Sequence, residues 1–153
     1  APKIAQGVAL ICAVCIGLVL LIAAMGKMFY PVEALKIFDQ VVSIIEFVIL
    51  GLVLYFRVQW KMWAGCAGMF SAWGGYAAFW YFLELPCSCM GTALHIPTLL
   101  SLLLDVLFFA ASFSMAFLLG AKKEVLYTVF LGCLFLSLAG FAFAEQIYRY
   151  FIL

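Results

Sequence analysis

The stretch Ile4–Met25, IAQGVALICAVCIGLVLLIAAM, runs for 22 residues without a charged side chain. As a helix rising 1.5 Å per residue it is long enough to cross the roughly 30 Å hydrocarbon core of a bilayer. Four further runs read the same way. Val41–Phe56 is short and interrupted by Glu46, Met62–Leu83 is rich in glycine and aromatics, Leu99–Leu119 contains Asp105, and Val125–Ala144 closes the series. Only short connections separate them. The chain therefore reads as one integral membrane domain over residues 1–153, an all-α polytopic bundle of five spans.

Composition agrees with this reading. Of 153 residues, 70% are apolar and 10% charged, with a mean hydropathy of +1.28. An ordinary soluble domain carries about a quarter charged residues, and eight basic plus seven acidic side chains cannot cover a soluble surface of this size. A soluble enzyme and a disordered chain are excluded. So is a nucleic-acid binder, since the net charge is +1 with no basic stripe. The single histidine, His95, excludes a haem held by two histidines of this chain. Ile4–Met25 is too long for a cleavable signal peptide, and no small-residue cleavage site leads from it into a soluble body.

Orientation follows from Lys and Arg in the short connections. With five spans, Lys3, Arg57, Lys61, Lys122 and Lys123 share one side, and Lys27, Lys36 and Arg149 the other. The expectation is a cytoplasmic N-terminus, with the C-terminus and the loop Glu84–Thr98 outside, in a bacterial inner or plasma membrane. Between the first two spans, Tyr30–Asp39 alternates apolar and charged positions at near-helical spacing, with Pro31 suited to a first helical turn. This predicts a short helix lying on the outer membrane surface. In the third span, Ala64, Gly68 and Ala72, and likewise Ala67, Ser71 and Gly75, recur every four residues. Each set forms a small face for close helix packing, inside the bundle or against a partner subunit.

The residues that carry chemistry are few. Cys12 and Cys15 form a C-x-x-C near the middle of a helix, where a disulfide would be strained, and read as packing residues. Cys87 and Cys89 instead sit in Leu85-Pro86-Cys87-Ser88-Cys89-Met90-Gly91, a turn-forming stretch just beyond the third span. A C-x-C disulfide closes a small ring, and strained, exposed disulfides belong to the labile or catalytic class. The other readings of the pair are a structural disulfide, idle thiols, or a metal site with His95 that lacks a fourth ligand. Glu46 and Asp105 are intramembrane carboxyls, expensive to bury unless paired or hydrated. Counted from the outer end of each span they lie at similar depths, about 7 Å and about 9 Å. They fall on the side of the membrane that carries the cysteine loop, His95 and Lys27. A redox pair above two protonatable groups suits dithiol–quinone electron transfer, which moves two protons with two electrons. Alternatively, Lys27 reaches Glu46 and staples two helices. His95 reads as a hydrogen-bonded loop residue, as a group lowering the pKa of a nearby thiol, or as a ligand to a pigment metal. Aromatic content of 18% suits lipid, quinone and pigment equally.

The run from Gly17-Leu18-Val19 to Gly26-Lys27, the Glu46…Gly51 pair and Cys87-Ser88-Cys89-Met90-Gly91 resemble the DoxX-like superfamily. They are most similar to its MauE-type branch, with its C-x-C-x-G signature. The resemblance covers roughly residues 10–115 and leaves the fifth span outside. It implies a four-helix core, with Cys87 and Cys89 as a redox pair and Lys27 and Glu46 as polar residues of that core. MauE-type proteins are associated with maturation of the disulfide-rich small subunit of methylamine dehydrogenase, and other members with sulfur-compound oxidation using quinone. The chain departs from the pattern at Ser88 and Met90, and at His95-Ile96-Pro97 with Asp105.

Taken together, these residues point to a membrane thiol–disulfide redox protein. Its catalytic groups would be Cys87, Cys89, Glu46 and Asp105, with Lys27 and His95 at a cofactor, a quinone, and an exported disulfide-containing protein as client. No metal site is expected. The alternative is a non-catalytic subunit of a larger respiratory, photosynthetic or oxidoreductase membrane complex, followed by a transporter, for which no span shows the broken-helix pattern.

Overall fold

Five helices form where the five apolar runs lie: α1 (Lys3–Phe29), α2 (Lys36–Tyr55), α3 (Trp60–Phe82), α4 (Thr98–Leu118) and α5 (Lys123–Phe151). The computed structural model describes residues 2–87, 90 and 96–153, and among these it contains no strand. Four helices are long and apolar enough to cross a membrane: α1, α2 with the turn before it, α4 and α5. Their composition places the chain in a lipid bilayer. α3 is not among these four; its 23 residues hold all four tryptophans of the chain and four glycines.

The largest differences from the sequence reading lie before α2 and at the end of α5. The surface helix expected over Tyr30–Asp39 does not form as a separate element. A single 3-10 turn, Glu33–Leu35, leads directly into α2, which begins at Lys36. The cause is tertiary. Leu35 is buried against Tyr76, Phe79 and Trp80, and the Val32 N–H donates to Asp39 Oδ2 at 2.9 Å. The segment is thereby folded onto the bundle instead of lying flat on the membrane. α5 runs past the predicted Ala144 to Phe151. There Ile147 is still buried, and Arg149 pairs one turn back with Glu145 at 2.5 Å.

α1 and α2 form an antiparallel hairpin. The buried seam of α1 includes Ala5, Ala9, Ala13, Ile16, Leu20, Ala24 and Lys27, spaced by fours and threes so that one stripe faces its neighbours. Small residues bring the backbones close: Ser43 Oγ donates to the Ala24 carbonyl at 2.6 Å. A Cβ at Gly17 would lie 2.9 Å from Leu50 Cδ1. α3 is the hub of the remaining helices, packed along both α4 and α5. Lipid supplies no hydrophobic drive between apolar helices, so close backbone approach must hold them. The small faces of α3 supply it within this chain. Gly75 lies on the Ser137 backbone and Gly140 on the Ala72 backbone, so tightly that a Cβ at either would fall inside the opposing carbonyl.

The core divides into two ends. One gathers Val53, Trp63, Leu126 and the connection after α4. The other gathers Leu35, Trp80, Ile147, Leu85 and Cys87. Gly75→Ala is expected to destabilise the protein by about 1–3 kcal/mol in detergent unfolding, as an overpacking change. Gly65, with nothing within 4 Å of its added Cβ, provides the control. Gly65→Ala is expected to be neutral or stabilising by up to about 1 kcal/mol through helix propensity.

Candidate functional site

Near the second of these ends, α1, α2, α3 and α4 line a cavity of about 70 Å³. Lys27 comes to it from α1, Asp39 and Glu46 from α2, and Asp105 from α4. The remaining wall is largely aromatic, with Phe38, Phe70, Trp73, Tyr76 and Phe108. Met90, from the segment that follows Cys87, also lines it.

The centre of the site is the ion pair between Lys27 Nζ and Glu46 Oε1, 2.5 Å apart and buried. Helix register explains why these two residues meet. Ala24 faces Ser43 and Gly17 faces Leu50, so Lys27 stands level with Gln40 and about six residues, roughly 9 Å, from the level of Glu46. Side chains on a helix tilt toward its N-terminus. In an antiparallel pair the Lys27 chain therefore leans into the bundle while Glu46 leans up to meet it. This is the reverse of the usual outward snorkelling of lysine near a helix end. Only a buried anion makes that direction favourable.

Asp105 approaches from the other side. Its Cβ would lie 3.7 Å from a Cβ at Gly74, so α4 presents the carboxyl across a glycine of α3. Glu46 and Asp105, matched in depth in the sequence, and Lys27, placed on the same side of the membrane, thus line one cavity. A fourth, Asp39, was not singled out: its charge was read as part of the surface segment. It is 1% exposed. The signal was present, since Asp39 and Glu46 stand seven residues apart, with Val42 and Ser43 between them on the same face of α2.

The polar atoms are not all satisfied. Among the described residues, Glu46 Oε2 and Trp73 Nε1 are buried without a hydrogen-bond partner. Around the predicted cysteine pair, the Cys87 N–H donates to Thr98 Oγ1 at 3.2 Å, and Thr98 Oγ1 donates to the Leu85 carbonyl at 2.9 Å. The start of α4 is thereby tied to the cysteine segment. Cys89 and His95 lie outside the described residues. Cys12, Cys15, Cys66 and Cys133 are free thiols, and Cys87 is not. Among the described residues, no group of three His, Cys, Asp or Glu is placed to hold a metal ion.

Breaking a buried ion pair from one side leaves an uncompensated charge and costs about 3–5 kcal/mol. Lys27→Met is expected to lower stability by that amount in detergent unfolding. The double variant Lys27→Met/Glu46→Leu should recover most of the loss, because an apolar pair of similar volume replaces the ions.

No protein-family model matches this sequence, and no curated protein or solved structure is significantly similar to it.

Proposed function

We propose that the chain is a membrane thiol–disulfide redox protein of the DoxX/MauE-like kind. In this reading Cys87 and Cys89 exchange disulfides with an exported client, and Glu46 and Asp105 handle the accompanying protons. The observation that carries the reading is that Met90, the residue next to Cys89, lines the same cavity as Lys27, Glu46 and Asp105. On this reading the C-x-C segment works together with the acid groups of the cavity.

The chemistry balances as follows. A client dithiol attacks the disulfide of the pair, the two client sulfurs join, and Cys87 and Cys89 are left as thiols holding two electrons and two protons. Re-forming the disulfide releases both, and a quinone of the bilayer supplies the acceptor, becoming a quinol. The chain's own part in that second half is proton handling. Lys27 holds Glu46 in place, and Asp105 offers a carboxyl across the cavity for taking up and returning a proton. A cavity of about 70 Å³ accommodates a few waters but not a substituted quinone ring. The charged residues fit the proton side of the reaction, and no residue is assigned to hold the quinone.

The same reading takes α3 as a fifth span, enclosed by α4 and α5, and puts the C-x-C loop on the outer face of a bacterial inner membrane. A purely structural subunit is the weaker reading. The small faces of α3 that would have served a partner are occupied by α5 at Ala72 and Gly75.

An impermeant maleimide, applied to intact cells carrying a variant without the other four cysteines, is expected to label Cys87 and Cys89 only after mild reduction. Cys87→Ser or Cys89→Ser should abolish client oxidation. Asp105→Asn should slow it while leaving the labelling pattern unchanged. Free labelling without reduction, or full client oxidation by the serine variants, would overturn the reading.

A further inference from the structure

The two unpartnered atoms at the cavity are complementary. Glu46 Oε2 is an acceptor and Trp73 Nε1 a donor, both buried and both on residues lining the same void. Glu46 is 2% exposed. A buried polar atom without a partner costs about 1–3 kcal/mol, and more when the group is charged. A cation would satisfy the carboxylate and oppose the indole N–H. An apolar occupant would satisfy neither. A small molecule that donates and accepts satisfies both, and the space of about 70 Å³ suits one of a few heavy atoms. Water meets all three conditions, needing two to four polar partners and a polar, roomy site.

Charge balance points the same way. The groups facing the cavity are Lys27 from α1, Asp39 and Glu46 from α2, Trp73 and Tyr76 from α3, and Ser101 and Asp105 from α4. Among the described residues, three carboxyl groups and one ammonium line the cavity. Water supplies dipoles between the aromatic walls and a route for protons to be shared among the acids.

We propose that the cavity binds a cluster of about two or three water molecules that bridges Glu46 Oε2 to Trp73 Nε1 and reaches Asp105. The water joins the carboxyls of α2 and α4 into one proton-sharing network. Its presence is independent of the cysteines; its use for redox protons rests on the reading under Proposed function.

Infrared spectroscopy of the full-length protein in hydrated bilayers tests this directly. Exchange into water labelled with heavy oxygen is expected to shift a set of sharp O–H stretching bands from confined water. Trp73→Phe removes the indole N–H, one partner of the cluster, and should abolish or displace those bands. It should also slow deuterium exchange at the Asp105 carboxyl several-fold. Leu131→Ala, on the exposed face of α5, should leave them unchanged. Cys87→Ser should retain the bands whatever it does to client oxidation, which separates this site from the redox reading. The inference is overturned if no band is sensitive to heavy oxygen, or if Trp73→Phe leaves every such band unmoved. Recovery of a small organic molecule from the purified protein in equimolar amount would also overturn it.

Discussion

The buried pair of Lys27 and Glu46 is the constraint around which the site is arranged. An ammonium and a carboxylate are costly in hydrocarbon separately and tolerable together only when geometry is good and remaining lone pairs are met. The antiparallel hairpin of α1 and α2 provides the geometry, since both side chains lean toward each other by the ordinary tilt of the Cα–Cβ bond. The Ser43–Ala24 hydrogen bond and the Gly17–Leu50 contact fix the register that makes this reach work. A shift of one residue along either helix would rotate one partner out of the seam.

The remaining helices solve a different problem. α3 packs against two neighbours, so its surface cannot be uniformly aliphatic; Gly75 stands where the α5 backbone crosses and Gly74 faces Asp105 of α4. Glycine lowers apolarity and helix propensity, and α3 accordingly falls outside the set of helices whose composition alone suits a membrane. The features that weaken it as an isolated span make it the hub of the bundle. Its aromatic residues then serve twice, Trp80 and Phe79 packing one end of the core while Trp73 and Tyr76 line the cavity.

This arrangement gives the cavity a distinct character. Its floor is charged, its walls are rings, and one side is contributed by the segment that carries the C-x-C. Thr98 binds both the Cys87 amide and the Leu85 carbonyl, so the start of α4, seven residues before Asp105, is tied to the cysteine segment. A change in that segment has a short hydrogen-bonded path to the helix that carries the acid group.

Much of this was legible in the sequence. Run length and the near-absence of charge determined the helices, because a chain in hydrocarbon must satisfy its backbone hydrogen bonds internally. The small-residue spacing on α3 gave close packing, and the depths of Glu46 and Asp105, with Lys27 at the end of α1, gave three members of the cavity. Counting along spans works for depth because helical rise is constant. It does not yield rotation or register between helices, which depend on how side chains from different segments interlock. Hence Asp39 was read as a surface charge, and a separate surface helix was expected where Leu35 packs into the core. The partner of the α3 glycines was likewise undetermined until α5 was seen to lie on them. Only the tertiary structure decided which charges share a cavity and which polar atoms in it lack partners, because burial and hydrogen bonding are properties of the packed assembly and not of any one helix.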